Sequence, residues 1–133
     1  MTQGISHITL IVKDLQKTTR FLQDVFDAQV VYTSGDKTFS LSKEVFFLIH
    51  DLWLCIMEGE SLKERTYNHI AFKIPDEEFE GYRAKVIAAG VELIPDRPRI
   101  KGEGRSLYFY DFDNHLFELH TGTLEERLRN YNG

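Results

Sequence analysis

The apolar positions of the chain follow a strand–helix–strands rhythm, and the rhythm occurs twice. Residues 4–12, "GISHITLIV", are rich in β-branched side chains and predict a strand. Residues 66–74, "TYNHIAFKI", repeat the pattern. After the first run, Asp14 stands where a helix cap belongs, and Phe21, Leu22, Val25 and Phe26 form a stripe at helical spacing. After the second, Pro75 and Asp76 open a helix that places Phe79, Tyr82, Val86 and Ile87 on one side and that Gly90 stops. Three strand-like runs follow each helix: 29–33, 38–41 with 45–49, and 52–58 in the first half, then 91–94, 106–110 and 116–120 in the second. "SGDK", "HD" and "DFDN" supply the turns.

Each half is thus predicted to be a β-α-β-β-β module, the first over about 4–60 and the second over about 66–121, and the fold class is α+β. Small modules of this kind bury their sheets by pairing with each other or with a second chain. "TLEERLRNY" predicts a closing helix over about 123–131, with Thr123 and Glu126 at capping-box spacing and Leu124, Leu128 and Tyr131 along one edge. The 133 residues contain no linker or low-complexity tract and make one domain by length.

Composition narrows the function classes. A net charge of −5 argues against a nucleic-acid-binding face. No run approaches the ~18 apolar residues of a membrane span, and no charged-then-apolar segment opens the chain, so a cytoplasmic location is expected. The single cysteine, Cys55, excludes an internal disulfide framework and a Cys-rich zinc site; inside "LWLCIM" it reads as a buried, inert thiol.

The chemistry begins with "DFDNHLFELH" at 111–120, an apolar strand that keeps an acid in its middle. A buried, unpaired carboxylate is expensive, so Glu118 needs a strong partner. Leu116, Glu118 and His120 share one strand face; Ile5, His7, Thr9 and Ile11 share another; Tyr67, His69, Ala71 and Lys73 share a third. His7 and His69 hold corresponding places in the repeat, 62 residues apart. Two imidazoles and a carboxylate suit a divalent first-row metal. Hydrogen-bonded structural histidines are the competing reading, and the residues alone leave the two even. His50, His115 and His120 are further candidates: His50 and His115 fall at turns and read as solvated, His120 shares the face of Glu118 and could support it, and a structural role is the expectation for all three.

The stretches "GISHITLIVKDL" (4–15), "LWLCIMEG" (52–59), "YNHIAF" (67–72) and "GEGRSLYFYDFDNHLFELHTGTLEERL" (102–128) together carry a family resemblance. The chain resembles the vicinal oxygen chelate superfamily with its paired βαβββ modules. Within it the chain is most similar to the epoxide-hydrolase branch of the fosfomycin-resistance proteins, the FosX type. The resemblance implies a domain-swapped homodimer in which His7 of one chain and His69 with Glu118 of the other hold Mn²⁺. It implies hydrolysis of the epoxide of a small phosphonate by water addition at carbon 1, with Glu44 as general base. Read without the family, Glu44 is a solvated charge beside Lys43.

The same resemblance assigns phosphonate contacts to Thr9, Ser106, Tyr108 and Arg127, and an apolar wall to Trp53. One of Arg97, Arg99 and Lys101 would replace a phosphonate-binding lysine of related thiol transferases. "KGEGRS" at 101–106 aligns with the potassium loop of those transferases, but Gly102 stands where they carry a serine, so potassium dependence does not carry over. The rival readings are a thiol transferase on the same scaffold, a non-catalytic drug-binding dimer, and another metal-dependent member such as a glyoxalase or dioxygenase.

Overall fold

A computed structural model describes residues 1–37 and 39–133. The chain divides into two compact units, Met1–Lys63 and Glu64–Gly133.

The first unit contains β1 (His7–Val12), α1 (Leu15–Phe26), β2 (Gln29–Thr33), β3 (Glu44–Ile49) and β4 (Leu52–Glu58). Its four strands form a sheet in the order β1-β4-β3-β2. The β1–β4 pair is parallel and the other pairs are antiparallel. Asp14 caps α1 by accepting the Lys17 N–H at 3.1 Å. The helix ends at Asp27, which sits in the left-handed region (φ 53°) with its N–H on Gln23, while Ala28 N–H reaches Leu22. Phe21, Leu22, Val25 and Phe26 are buried, as the stripe predicted. With Val12, Phe47, Leu54 and Ile56 they form the core of this unit.

Two expectations change here. Strand pairing of β1 begins at His7, opposite Trp53, so residues 4–6 have no ladder to join. The run expected over 38–41 is not a strand over 39–41: Phe39 and Leu41 are exposed and the β3 ladder starts at Glu44. Thr38 lies outside the described residues. A bulge in β2 skips Val31, pairing Val30 with Phe47 but Tyr32 with Phe46. The bulge brings the Tyr32 ring to the Phe46 side of the sheet, 4.9 Å between centroids.

The second unit contains β5 (His69–Lys73), a single 3₁₀ turn (Asp76–Glu78), α2 (Phe79–Ala88), β6 (Glu92–Ile94), β7 (Ser106–Tyr110), β8 (Leu116–His120) and α3 (Leu124–Asn132). Its sheet has the order β5-β8-β7-β6, with β5–β8 parallel. Phe79 and Val86 are buried with Leu107, Phe109, Phe117 and Leu119. Ile87, expected on the buried side of α2, is exposed. It lies about 100° around the helix from Val86, beyond the stripe that Phe79 and Val86 define. Thr123 caps α3 and pairs reciprocally with Glu126: its hydroxyl accepts the Glu126 N–H at 3.1 Å and donates to Oε1 at 3.0 Å. No described helix is long and apolar enough to cross a membrane. The two units carry the same strand order around one helix between their first and second strands, so the fold is α+β.

Candidate metal centre

In the second unit, strand register assembles the site. β7 and β8 pair Ser106 with His120 and Tyr108 with Glu118, and β5 places Ala71 opposite Glu118. The small Ala71 side chain leaves His69, one register step away, free to meet the carboxylate. His69 Nε2 lies 2.9 Å from Glu118 Oε1, and Glu118 is buried. His69 Nδ1 lies 2.6 Å from the Tyr67 carbonyl. A carbonyl only accepts, so the proton sits on Nδ1. In that tautomer Nε2 turns its lone pair toward the carboxylate. Two acceptors at that distance repel unless a cation lies between them or the ring takes a second proton. An imidazole whose other nitrogen donates to a backbone carbonyl is the usual orientation of a metal-ligating histidine. The donor chemistry therefore fits a divalent cation. Among the described residues, no three His, Cys, Asp or Glu side chains form a complete metal-holding group. His69 and Glu118 would supply two ligands, and His7 belongs to the other unit.

The second oxygen of Glu118 is also held. Ser106 Oγ donates to Oε2 at 2.6 Å and lies 2.7 Å from His120 Nδ1. Burial, together with the charges of Arg127 and Arg99, holds the His120 pKa below its ordinary value, although Glu118 opposes them. Arg127 Nη2 approaches His120 Nε2 at 3.4 Å. A cavity of about 320 Å³ opens between them, lined by His69, Ala71, Glu118, His120, Thr123 and Arg127.

Next to it lies a cation whose identity the sequence left undecided. Of Arg97, Arg99 and Lys101, Arg99 is the one turned in: its side chain is 10% exposed. Its Nε donates to Asp96 at 2.9 Å and its Nη2 donates to Tyr108 Oη at 3.0 Å. Nη2 stands 3.7 Å from Glu118 Oε2. Its Nη1 is buried with no hydrogen-bond partner among the described residues, a donor that buried sites rarely leave unused. Burial, the Tyr67 hydrogen bond and the Glu118 charge push the Tyr108 pKa up to about 12, so its phenol stays protonated. Arg97 instead pairs with buried Glu103 at 2.9 Å, whose other oxygen accepts from Tyr131. Gly102 has φ 87°, and a Cβ there would come within 2.0 Å of Asn130 Nδ2, so a serine in its place would strain this loop.

The first unit carries a second set. By register, His7, Thr9, Trp53, Cys55, Phe46 and Glu44 share one face of its sheet. His7 is exposed, stacks on Trp53 at 4.2 Å between centroids and has Ser6 Oγ 2.9 Å from Nδ1. Trp53 Nε1 is buried without a hydrogen-bond partner among the described residues. Glu44 is buried, not solvated beside Lys43; Lys43 instead reaches Asp36 at 3.6 Å. Glu44 is drawn in because it is the first residue of β3, anchored by its N–H to Ser34 Oγ at 3.0 Å. Cys55 Sγ lies 3.5 Å from Glu44 Oε1. Burial first, then Glu44, pushes the thiol up to about 11, which agrees with the inert thiol expected from the sequence.

Of the remaining histidines, His50 is exposed at a turn beside Asp51, as expected. His115 is not solvated: its Nδ1 meets Asp111 Oδ2 at 2.8 Å, with the side chain 11% exposed. The "DFDN" turn folds back on itself, with Asp111 Oδ1 accepting the Asp113 and His115 N–H groups.

Residues 4–119 match the model of the Glyoxalase/Bleomycin resistance protein/Dioxygenase superfamily. The chain is 67% identical over 131 residues to the fosfomycin resistance protein FosX of Listeria monocytogenes, covering 98% of each chain. It is 36% identical to the metallothiol transferase FosB of Shouchella clausii, over 98% of this chain and 88% of that one. The crystal structure of a mutant of the Listeria monocytogenes FosX, complexed with Mn(II) and 1S,2S-dihydroxypropylphosphonic acid, superimposes with a TM-score of 0.92 at 65% identity, covering 98% and 99% of the two chains. The chain belongs to the Glyoxalase/Bleomycin resistance protein/Dioxygenase superfamily and, within it, to the fosfomycin resistance proteins of the FosX type.

Proposed function

We propose that the chain is a manganese-dependent epoxide hydrolase that opens fosfomycin with water and so confers resistance to it. The observation that carries this reading is the His69–Glu118 acceptor pair standing beside the Arg99–Tyr108 donor pair. A place for a cation and a place for an anion adjoin at Glu118, from which Arg99 Nη2 stands 3.7 Å away, and that is what an epoxide next to a phosphonate requires.

His7, His69 and Glu118 would hold Mn²⁺, which supplies Lewis acidity toward the epoxide oxygen as the ring opens. Glu44 takes a proton from the attacking water, whose oxygen forms a bond to carbon 1 as the ring C–O bond breaks. The ring oxygen acquires a proton from solvent and Glu44 returns its own to solvent, so the net change is addition of one water and the product is a vicinal diol phosphonate. Arg99 and Arg127 supply charge-assisted donors for the phosphonate, and Tyr108, Ser106 and Thr9 supply hydroxyls. Ser106, already donating to Glu118, also fixes the orientation of that ligand. Trp53 forms the apolar wall beside the substrate methyl group.

The site is shared between chains of a domain-swapped homodimer, His7 from one and His69 with Glu118 from its partner. His7 lies in the first unit, and His69 with Glu118 in the second. A cytoplasmic location belongs to the same reading, and cell fractionation checks it. The function itself is tested by incubating the Mn²⁺ protein with fosfomycin, with and without thiol, and following phosphorus NMR. Turnover to the diol without thiol is expected; turnover only when thiol is present would transfer the chain to the transferase branch. Glu44→Gly keeps Mn²⁺ but loses water addition, by about 10²–10⁴-fold.

A further inference from the structure

The two sheets repeat each other in register. β1 and β4 pair His7 with Trp53 and Thr9 with Cys55. β5 and β8 pair His69 with Leu116 and Ala71 with Glu118. Counted from each histidine, Cys55 holds in the first unit the place that Glu118 holds in the second. The third strands extend the match. Glu44 faces Met57 and Phe46 faces Cys55, as Ser106 faces His120 and Tyr108 faces Glu118. Glu44 therefore holds the place of Ser106. The diagonal contact is also repeated, with donor and acceptor exchanged: Cys55 Sγ to Glu44 Oε1 at 3.5 Å, and Ser106 Oγ to Glu118 Oε2 at 2.6 Å.

We propose that Cys55 is a positioning residue for Glu44: its S–H, fixed by the β4 backbone, donates to Oε1 and so assigns proton transfer to Oε2. The proposal rests on the reading of Glu44 as general base. A glutamate side chain rotates broadly about its last torsion, so a buried carboxylate needs an anchor to keep one oxygen on the reacting water. The S–H bond is weak, but it acts here on a carboxylate removed from solvent. The thiol keeps its proton at neutral pH, because burial and Glu44 push its pKa to about 11, with the Thr9 hydrogen bond working the other way. It therefore donates without adding a second negative charge beside the base.

The test uses Cys55→Ala, Cys55→Ser and Cys55→Val as Mn²⁺ holoenzymes, with kcat and KM for fosfomycin measured without thiol. Alanine should lower kcat about 10- to 100-fold, the range that misplacement of a reacting group costs, with KM within about twofold. Serine should restore most of kcat, because its hydroxyl donates in the same direction. The Mn²⁺ EPR spectrum should be the same in all. Should the alanine chain fail to fold, valine, which fills the volume without a donor, is read in its place. Wild-type kcat in the alanine or valine variant overturns the proposal, and so does a serine variant as slow as alanine. Failure of the underlying reading looks different: Glu44→Gly would then retain full water addition.

Discussion

His69 Nε2 and Glu118 Oε1 stand 2.9 Å apart, with the histidine proton committed to the Tyr67 carbonyl on the far side of the ring. In the proposed function this pair would hold the cation, with the Tyr67 carbonyl and the Ser106 hydroxyl as its outer partners. Ser106 is the outer partner of Glu118, so Ser106→Ala should weaken Mn²⁺ binding or activity by about 10–100-fold. Glu118→Gln, which removes a charge and a ligand, should cost more. Titration followed by Mn²⁺ EPR reads both, and equal affinity in Glu118→Gln and wild type would remove Glu118 from the site.

The proposed sharing of the site between chains predicts complementation. His7→Ala and Glu118→Ala chains should each be inactive. Unfolded together and refolded, they form heterodimers with one intact site each, so activity should return to about a quarter of wild type. A mixture that stays inactive, although the refolded chains are dimeric, would place all three ligands within one chain.

Arg99 is bound through its planar fork, to Asp96 by Nε and to Tyr108 by Nη2. Lysine keeps the charge and loses the fork. Arg99→Lys should raise KM for the phosphonate about 10-fold or more while kcat changes less, because the lost contact is made in ground and transition states alike. An unchanged KM would return the choice to Arg97 or Lys101.

The buried thiol gives a pH signature. Cys55 titrates at about 11 in the folded chain, above its ordinary 9.0, through burial and then Glu44. The folded state holds this proton more tightly, so the contribution to stability is fully present below pH 9.0 and is lost as pH rises to about 11. The Tm of the wild-type chain should fall more between those values than that of Cys55→Ser. Tyr108, pushed up to about 12, adds its own loss at still higher pH in both chains and cancels from the difference. Parallel Tm curves would show that the thiol is not buried in the folded state.

Much of this was legible in the sequence because strands write their faces with period two. His7 and His69 could be matched through the repeat. Glu118 announced itself as a carboxylate in an apolar strand. Neither signal exists for Arg99. It lies in a loop with no periodicity, among three cations of equal standing, and only the folded loop shows which guanidinium turns toward Tyr108. Glu44 misled for a related reason: beside Lys43 it reads as solvated, but the β3 ladder starts on it and draws it inside. His115 read as a turn residue, and it is one, yet the turn folds it onto Asp111. Ile87 is apolar at helical spacing, and the helix turns it outward all the same.

The central claim is that water, activated by Glu44, adds to the epoxide. Turnover of fosfomycin by the Mn²⁺ protein in H₂¹⁸O, without thiol and read by mass spectrometry and phosphorus NMR, tests it most directly. One ¹⁸O on the carbon bonded to phosphorus, with the other hydroxyl unlabelled, is the predicted product. An unlabelled product, or an epoxide left intact until a thiol is supplied, would contradict it.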